Sequence, residues 1–490
     1  MAKDLKRKTV DGIFWTALQR YSKMVIVFLS GIILARLLTP FDYGCIGMLA
    51  IFMSVSETFI EGGFGSALIQ KKRPTQEDYS TIFYWNIFVA AVLYIILFIS
   101  APAIARFYEI PLLSKVLRVQ GLLLFLYAFN LVQRNQLRKS LNFKLLAIVS
   151  LGSSLIALAV TIWMAYRGYG VWALVAQNLI VVGIQSLVFW FHVKWRPSRV
   201  FSRQSFKELF GFGFFMFMTN IINAFCYRFQ GLLIGKFFNP TTLGYYSKAE
   251  SVETMASSSV SGIIEQVSYP VYAEMQDDLS AMQNMIKRMT LSIAYITFPM
   301  LLLLILCARP IFILLYSERW IASVPYFQVL CLAGMALCLH SVQLQSIAAI
   351  GKSRTMFHAM LVKRGVGFLA IVAGLYFFGM KGLLVGVIIN NWFSYFYNAG
   401  LVSRYIGYTF RQQMLDLLPI VLMAGLSAAL AYGAGLFLHL GMYADGLLKV
   451  LIFATVYVGC SYVFRFEAFR YFRSIVLPYL KKLRNGKQSR

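Results

Sequence analysis

Apolar runs of about 20 residues follow one another from end to end of this chain, each long enough to cross a hydrocarbon core of about 30 Å at about 1.5 Å of rise per residue. No other feature restricts the fold as much, because a backbone in hydrocarbon must satisfy its own hydrogen bonds, and a helix does so. Charged residues make up only 13% of the chain and hydrophobic residues 59%. A soluble domain carries about 25% charge. With a mean hydropathy of +0.69, no stretch between the apolar runs can fold as a separate soluble domain.

The sequence predicts an all-α integral membrane protein of about fourteen transmembrane helices. They fall near 12–37, 41–69, 79–103, 112–135, 143–166, 169–193, 207–236, 241–270, 285–308, 322–349, 355–378, 381–403, 413–438 and 446–465. The N-terminus, MAKDLKRKTVDGIFW, is basic and then apolar, as a secretory leader would be. No small-residue cleavage site follows, and the apolar stretch runs on to Leu38, so it is expected to remain as the first span.

The net charge of +27 invites a nucleic-acid reading, but the placement of the 46 Lys and Arg points to topology. With the N-terminus in the cytoplasm, most of them fall in cytoplasmic segments. Lys71, Lys72 and Arg73, then Arg134, Arg138 and Lys139, then Lys194, Arg196, Arg199 and Arg203 are such groups. Both termini are then cytoplasmic, and the chain ends in a short basic tail over 466–490.

A repeat sits inside this pattern. ARLLTPFDYG at 35–44 matches GKFFNPTTLG at 235–244, pairing Pro40 with Pro240, Gly44 with Gly244 and Arg36 with Lys236. Each copy joins the first and second spans of a six-span unit, and an even number of spans sends both units into the membrane in the same direction. The expected organisation is two pseudo-symmetric six-helix lobes, 1–200 and 201–404, with two further helices and the tail in 405–490.

Charge inside a span marks where chemistry could lie, since it costs about 2.5–3.5 kcal/mol at the bilayer centre on insertion scales. In the first span Thr16, Gln19, Arg20, Lys23 and Ser30 fall within about a 100° arc. Glu57 and Glu61 share a similar face of the second span with Ser54 and Thr58. Glu250, Glu253, Ser257, Ser261 and Glu265 share one on the eighth. Three polar faces from the leading spans of both lobes predict a central aqueous cavity. The competing reading is that these charges pair as structural salt bridges between helices. Arg228, Lys363 and Arg364 extend the basic set, and Asn220 and Asn223 are candidates for sugar hydroxyls or for helix–helix hydrogen bonds.

Enzyme and metal signatures are missing from the sequence. The four histidines, 192, 340, 358 and 439, have no ligand spacing. The six cysteines are scattered through apolar segments and read as small packing residues. EGGFGS at 61–66 lies in or at the end of a span and is no phosphate loop. No cofactor or metal is expected. Without an ATP-binding motif, the driving force must be an ion gradient or the substrate's own gradient.

ILARLLTPFDYGCIGMLAIF at 33–52, FIEGGFGSALIQKKR at 59–73, TTLGYYSKAE at 241–250 and YPVYAEMQDD at 269–278 resemble the Wzx-like oligosaccharide flippases. These belong to the multidrug/oligosaccharidyl-lipid/polysaccharide exporter superfamily, and the last two runs fit its colanic-acid-exporter-like branch in particular. The resemblance implies a bacterial inner-membrane protein that moves an undecaprenyl-pyrophosphate-linked oligosaccharide to the periplasmic leaflet by alternating access. The expected partners are membrane lipids and a coupling proton or sodium, with no nucleic acid, and the protein is expected to act as a monomer near a polysaccharide polymerase. Residue roles come from the helix faces alone. Arg20, Lys23, Arg228, Lys363 and Arg364 are expected on the pyrophosphate, Asn220 and Asn223 on sugar, and Glu57, Glu61, Glu250 and Glu253 on the coupling ion. The alternatives are an ion-coupled drug or organic-cation antiporter of the same superfamily, disfavoured by the intramembrane cations, and a membrane glycan polymerase, disfavoured by short loops.

Overall fold

A computed structural model describes residues 2–438, 441–464, 466–467 and 469–470. The tail beyond 470 and His439 lie outside the described residues, as does the side chain of Glu265. Within them the chain is helical, with no strand. The helices are α1 (Ala2–Leu37), α2 (Pro40–Glu61), α3 (Phe64–Gln70), α4 (Gln76–Phe107), α5 (Leu112–Gln120), α6 (Leu123–Lys139), α7 (Phe143–Tyr166) and α8 (Val171–His192). They continue as α9 (Arg203–Phe237), α10 (Pro240–Glu274), α11 (Leu279–Leu306), α12 (Ala308–Tyr316), α13 (Val324–Ala349), α14 (Ser353–Ile406), α15 (Phe410–Leu438) and α16 (Met442–Val463).

Eleven helical segments among the described residues are long and apolar enough to cross a membrane, or twelve if the bent pair Arg203–Gly211 and Gly213–Phe237 is one span. This falls short of fourteen for two physical reasons. The α10 helix carries Lys248, Glu250 and Glu253 and is too polar to count by composition. One 53-residue segment, Arg354–Ile406, is a hairpin rather than a single rod. Gly379 breaks it at φ 59° and ψ −138°. A Cβ on Gly374 would run into the carbonyl of Gly382, and one on Gly382 into that of Gly374, so the arms pack backbone to backbone.

The chain divides into two compact units, Met1–Ser247 and Lys248–Arg490. The first holds α1 to α9 and the opening turns of α10. There α1, α7 and α8 close on a core of Leu34, Leu38, Ala165, Ala173 and Leu174. Lipid is as apolar as leucine, so such contacts are held by packing rather than by escape from water.

The repeat read from the sequence begins two helices in the same way. Thr39 caps α2 reciprocally with Asp42: Thr39 N and Oγ1 donate to Asp42 Oδ2 at 2.9 and 2.7 Å, and Pro40 occupies the first turn. At the start of α10 the Thr242 N–H donates to Asn239 Oδ1 at 2.7 Å, again beside a proline. These two starts touch. A Cβ at Gly44 would collide with the Pro240 carbonyl, and a Cβ at Gly244 with the Pro40 carbonyl. The identities in the repeat are therefore the residues that meet one another.

At the other end of α2, Gly62 and Gly63 take φ of 50° and 73°, and Gly63 is pressed against the Gly213 backbone of α9. Beyond α3, Lys71 Nζ reaches Asp78 at 3.1 Å and Glu208 at 3.0 Å. Burial works against the charged amine there, but the two carboxylates outweigh it and raise the Lys71 pKa.

Two outcomes follow from this packing. Gly44→Ala and Gly244→Ala should each lose about 1–3 kcal/mol through overpacking, whereas Gly152→Ala on α7, which meets nothing within 4 Å, should be neutral or slightly stabilising. Denaturation of the purified protein reads both. Because the Lys71 pKa is raised on folding, its contribution is complete below the unfolded value of about 10.4 and is lost as pH rises through the folded value. Lys71→Met should therefore narrow the stability gap between neutral and strongly alkaline buffer, as followed by thermal melting.

Candidate functional site

In the first unit, the polar face expected on α2 opens on a cavity of about 210 Å³, lined by Ser54, Glu57, Thr58, Glu61, Tyr127, Asn130 and Arg134 among others. A larger, open and mainly apolar cleft beside Arg106 and Glu109 has no such convergence of polar groups. The acids stand one helical turn apart, so their carboxylates share a face. Arg134 Nη2 on α6 donates to Glu61 Oε1 at 2.8 Å. Asn130, one turn before it, donates through Nδ2 to Ser186 Oγ at 3.1 Å, and that hydroxyl donates to the Leu126 carbonyl at 3.0 Å. Asn130 is thus held by α8 and presents a fixed edge to the cavity.

Glu57 is more enclosed than Glu61, which is exposed. It feels two opposed charges: Glu61 on its own helix and the Arg228 guanidinium from α9. Arg228 lies over the Tyr227 ring at 5.1 Å, and its Nε is buried without a hydrogen-bond partner among the described residues. Two helices therefore bring two acids and Arg134 to one cavity, and Arg228 from a third is close enough to act on Glu57. Such an arrangement can bind a small cation at the acids, or exchange partners if an anion reaches the arginines.

The second unit has its own buried charges. Lys248 is buried, with Nζ 4.1 Å from the Tyr316 ring centroid and 5.8 Å from that of Trp320. Glu253 is 6% exposed, and its Oε1 is buried with no hydrogen-bond partner among the described residues. It lies so close to Gly334 on α13 that a Cβ there would collide with Oε1. Glu250 is half-buried one turn earlier. Lys363 Nζ on α14 donates to Asn398 Oδ1 at 2.9 Å and lies 3.4 Å from His340 Nε2.

The sequence-predicted residues thus fall into groups. Glu57, Glu61 and Arg228 meet in the first unit; Glu250 and Glu253 are neighbours on α10; Lys363 and Arg364 sit together on α14. Arg20 and Lys23 are exposed on α1, while Asn220 is exposed and Asn223 half-buried on α9. Five residues lie outside the sequence-predicted site. Arg134 was taken for a topological charge, although Tyr127, Asn130 and Arg134 recur at helical spacing and could have been read as a face. Lys248 and Asn398 carried no pattern beyond being polar in an apolar run.

Replacing Glu61 with Gln should cost no more than about 1 kcal/mol, because its pair with Arg134 is solvent-exposed on the acid side. Asn130→Leu should cost more, about 1–3 kcal/mol, because the buried Ser186 Oγ loses its only side-chain donor among the described residues while keeping its bond to the Leu126 carbonyl. Thermal melts of the two variants test that order.

Comparison with known proteins gives this chain a family and a fold. A profile of the family described as polysaccharide biosynthesis protein matches residues 33–325. The teichuronic acid biosynthesis protein TuaB of Bacillus subtilis is 23% identical over 356 residues, covering 72% of this chain and 74% of TuaB. The lipopolysaccharide biosynthesis protein WzxC of Escherichia coli K12 is 22% identical over 425 residues, 85% of this chain and 86% of WzxC. Among solved structures, the lipid II flippase MurJ in an inward closed conformation superposes with a TM-score of 0.72 at 15% identity. The match covers 92% of this chain and 98% of MurJ. An inward-facing MATE-family multidrug transporter gives 0.60 at 14% identity, over 84% and 98%.

Proposed function

This chain belongs to the polysaccharide biosynthesis protein family, and from that premise we propose that it is a flippase for a lipid-linked oligosaccharide and not an enzyme. The observation that carries the proposal is the cluster of Glu57, Glu61, Arg134 and Arg228, ionisable groups held among apolar helices around a polar cavity. Charge so placed is costly and is kept where something charged must pass. The names of the relatives, which speak of teichuronic acid and lipopolysaccharide synthesis, narrow the cargo to a glycan.

The finer reading follows from the chemistry. The cargo is an oligosaccharide repeat unit on undecaprenyl pyrophosphate, carried from the cytoplasmic to the periplasmic leaflet of a bacterial inner membrane. Arg20, Lys23, Arg228 and Arg364 are the cations for the pyrophosphate, and Asn220 and Asn223 the groups for sugar. Lys363, already engaged by Asn398 and His340, is left to another role. In this reading α10 also crosses the membrane and α14 crosses twice, giving fourteen crossings. These form two six-helix lobes, 1–200 and 201–404, and two C-terminal helices in 405–490, with both termini cytoplasmic. The lobes alternate access, and Glu57, Glu61, Glu250 and Glu253 couple that cycle to a proton or sodium ion. A ligand shifts such an equilibrium only by its differential affinity for the two states. Competition between pyrophosphate and a carboxylate for one arginine supplies that difference.

Cells lacking the gene should accumulate lipid-linked oligosaccharide and lose surface glycan, and the wild-type gene should restore it. Lys23→Ala or Arg228→Ala should lower export roughly tenfold or more at matched expression, the cost of one charge-assisted contact. Arg228→Lys should retain more. Export by both alanine variants equal to wild type would remove the pyrophosphate role from these residues.

A further inference from the structure

The second unit contains a seam of buried polar groups that the flippase reading does not use. It begins at Lys363, 8% exposed and, counting from Ser353, about 15 Å along the first arm of α14. The amine has three donors once protonated, but among the described residues only Asn398 Oδ1 and His340 Nε2 take up hydrogen-bonding positions, and no carboxylate pairs with it. The charged or titratable groups that act on it are His340 from α13 and Arg364 from its own helix. Both are potential cations, so nothing nearby balances a permanent charge on Lys363.

Beside this cluster three polar atoms are orphaned: Asn398 Nδ2, Gln343 Oε1 and Tyr395 OH. Asn398, Gln343 and Tyr395 are each no more than 1% exposed. Gln343 follows His340 by three residues and Tyr395 precedes Asn398 by three, so each pair shares a helix face. Tyr395 and Gln343 lie within side-chain reach of each other, and an amide donor, an amide acceptor and a hydroxyl on these two helix faces are the partners that a buried water requires. From there the polar contacts continue outward. Gln343 Nε2 donates to Gln413 Oε1 at 2.8 Å, and Gln413 Nε2 donates to the Tyr408 carbonyl at 2.7 Å. Tyr408 OH donates to Asp416 Oδ2 at 2.6 Å. Asp416 is paired with Lys287 at 3.0 Å, and Lys287 also holds the partly exposed Glu467 at 3.2 Å.

We propose that the Lys363 amine is a proton-binding site of the second unit, served by water through this seam from the aqueous edge at Asp416. Uptake forms one N–H bond while an O–H bond of hydronium in the seam breaks and leaves water. Release reverses this, so no other reactant is needed. The neutral amine accepts a hydrogen bond from Asn398 Nδ2 or water, and the ammonium donates to Asn398 Oδ1. The amide and the two arms of α14 are therefore sensitive to the proton. The site is separate from the acids of α2 and α10 and would work whatever the cargo.

X-ray hydroxyl-radical footprinting of the full-length protein in lipid nanodiscs tests both halves without any cargo, so its outcome is independent of the flippase reading. Tyr395 should oxidise severalfold faster than Phe312 and Phe327, equally buried side chains of the same unit that pack on each other. Its rate relative to theirs should change between mildly acidic and mildly alkaline buffer. Lys363→Met should abolish that change. Lys363→Arg, which keeps a cation in place and guards against a simple folding defect, should keep Tyr395 hydrated but pH-insensitive. Tyr395 as protected as Phe327 would overturn the hydrated seam. A pH response that survives in both Lys363 variants, or that vanishes in His340→Gln while persisting in Lys363→Arg, would overturn the assignment of the proton to Lys363.

Discussion

Everything in this molecule is subordinate to the cost of leaving charge or an unpaired backbone group in hydrocarbon. That cost makes the chain helical. It also confines most Lys and Arg to helix ends, and obliges the few charges inside spans to gather on partners. Glu61 with Arg134, Glu57 near Arg228, Lys248 over Tyr316 and Lys363 on Asn398 are four solutions to one problem. They differ in chemistry because the available neighbours differ: an arginine, an aromatic face or an amide.

Close packing of backbones is the second consequence. With no hydrophobic drive between helices in lipid, contact depends on shape, and glycine gives the closest approach. The crossed contacts of Gly44 with Pro240 and Gly244 with Pro40 make the start of α2 and the start of α10 one joint. The capping side chains Thr39 and Asn239 stop each helix at that joint, and the prolines need no N–H there. The candidate cavity is on the same helix: about three to five turns beyond Gly44, α2 carries Ser54, Glu57 and Glu61 to it.

How much of this could be read beforehand depended on whether a residue's role was local. The helical class and the two acids one turn apart on α2 are written in composition, periodicity and spacing, and among the described residues the chain is helical with Glu57 and Glu61 on one face of α2. The repeat was legible as Pro40/Pro240 and Gly44/Gly244, but that its members touch was not, since contact across about 200 residues leaves no mark in one chain. Arg134 looked like a loop charge because its partner, Glu61, lies 73 residues away. The seam from Lys363 to Asp416 joins three helices, and each member alone is an ordinary polar residue. The count of candidate spans is lower than the fourteen expected because α10 is polar and the two arms that meet at Gly379 count as one segment.

The central claim is that the charged cavity serves a pyrophosphate-linked glycan rather than an organic cation. Purified protein in sealed vesicles, given a lipid-linked oligosaccharide in one leaflet, tests it directly through a membrane-impermeant glycosidase added to the other side. The account predicts that cargo becomes cleavable at a rate proportional to the protein present, that Arg228→Ala slows it, and that an organic cation dye is not moved. Translocation of the dye with none of the glycan lipid would contradict it.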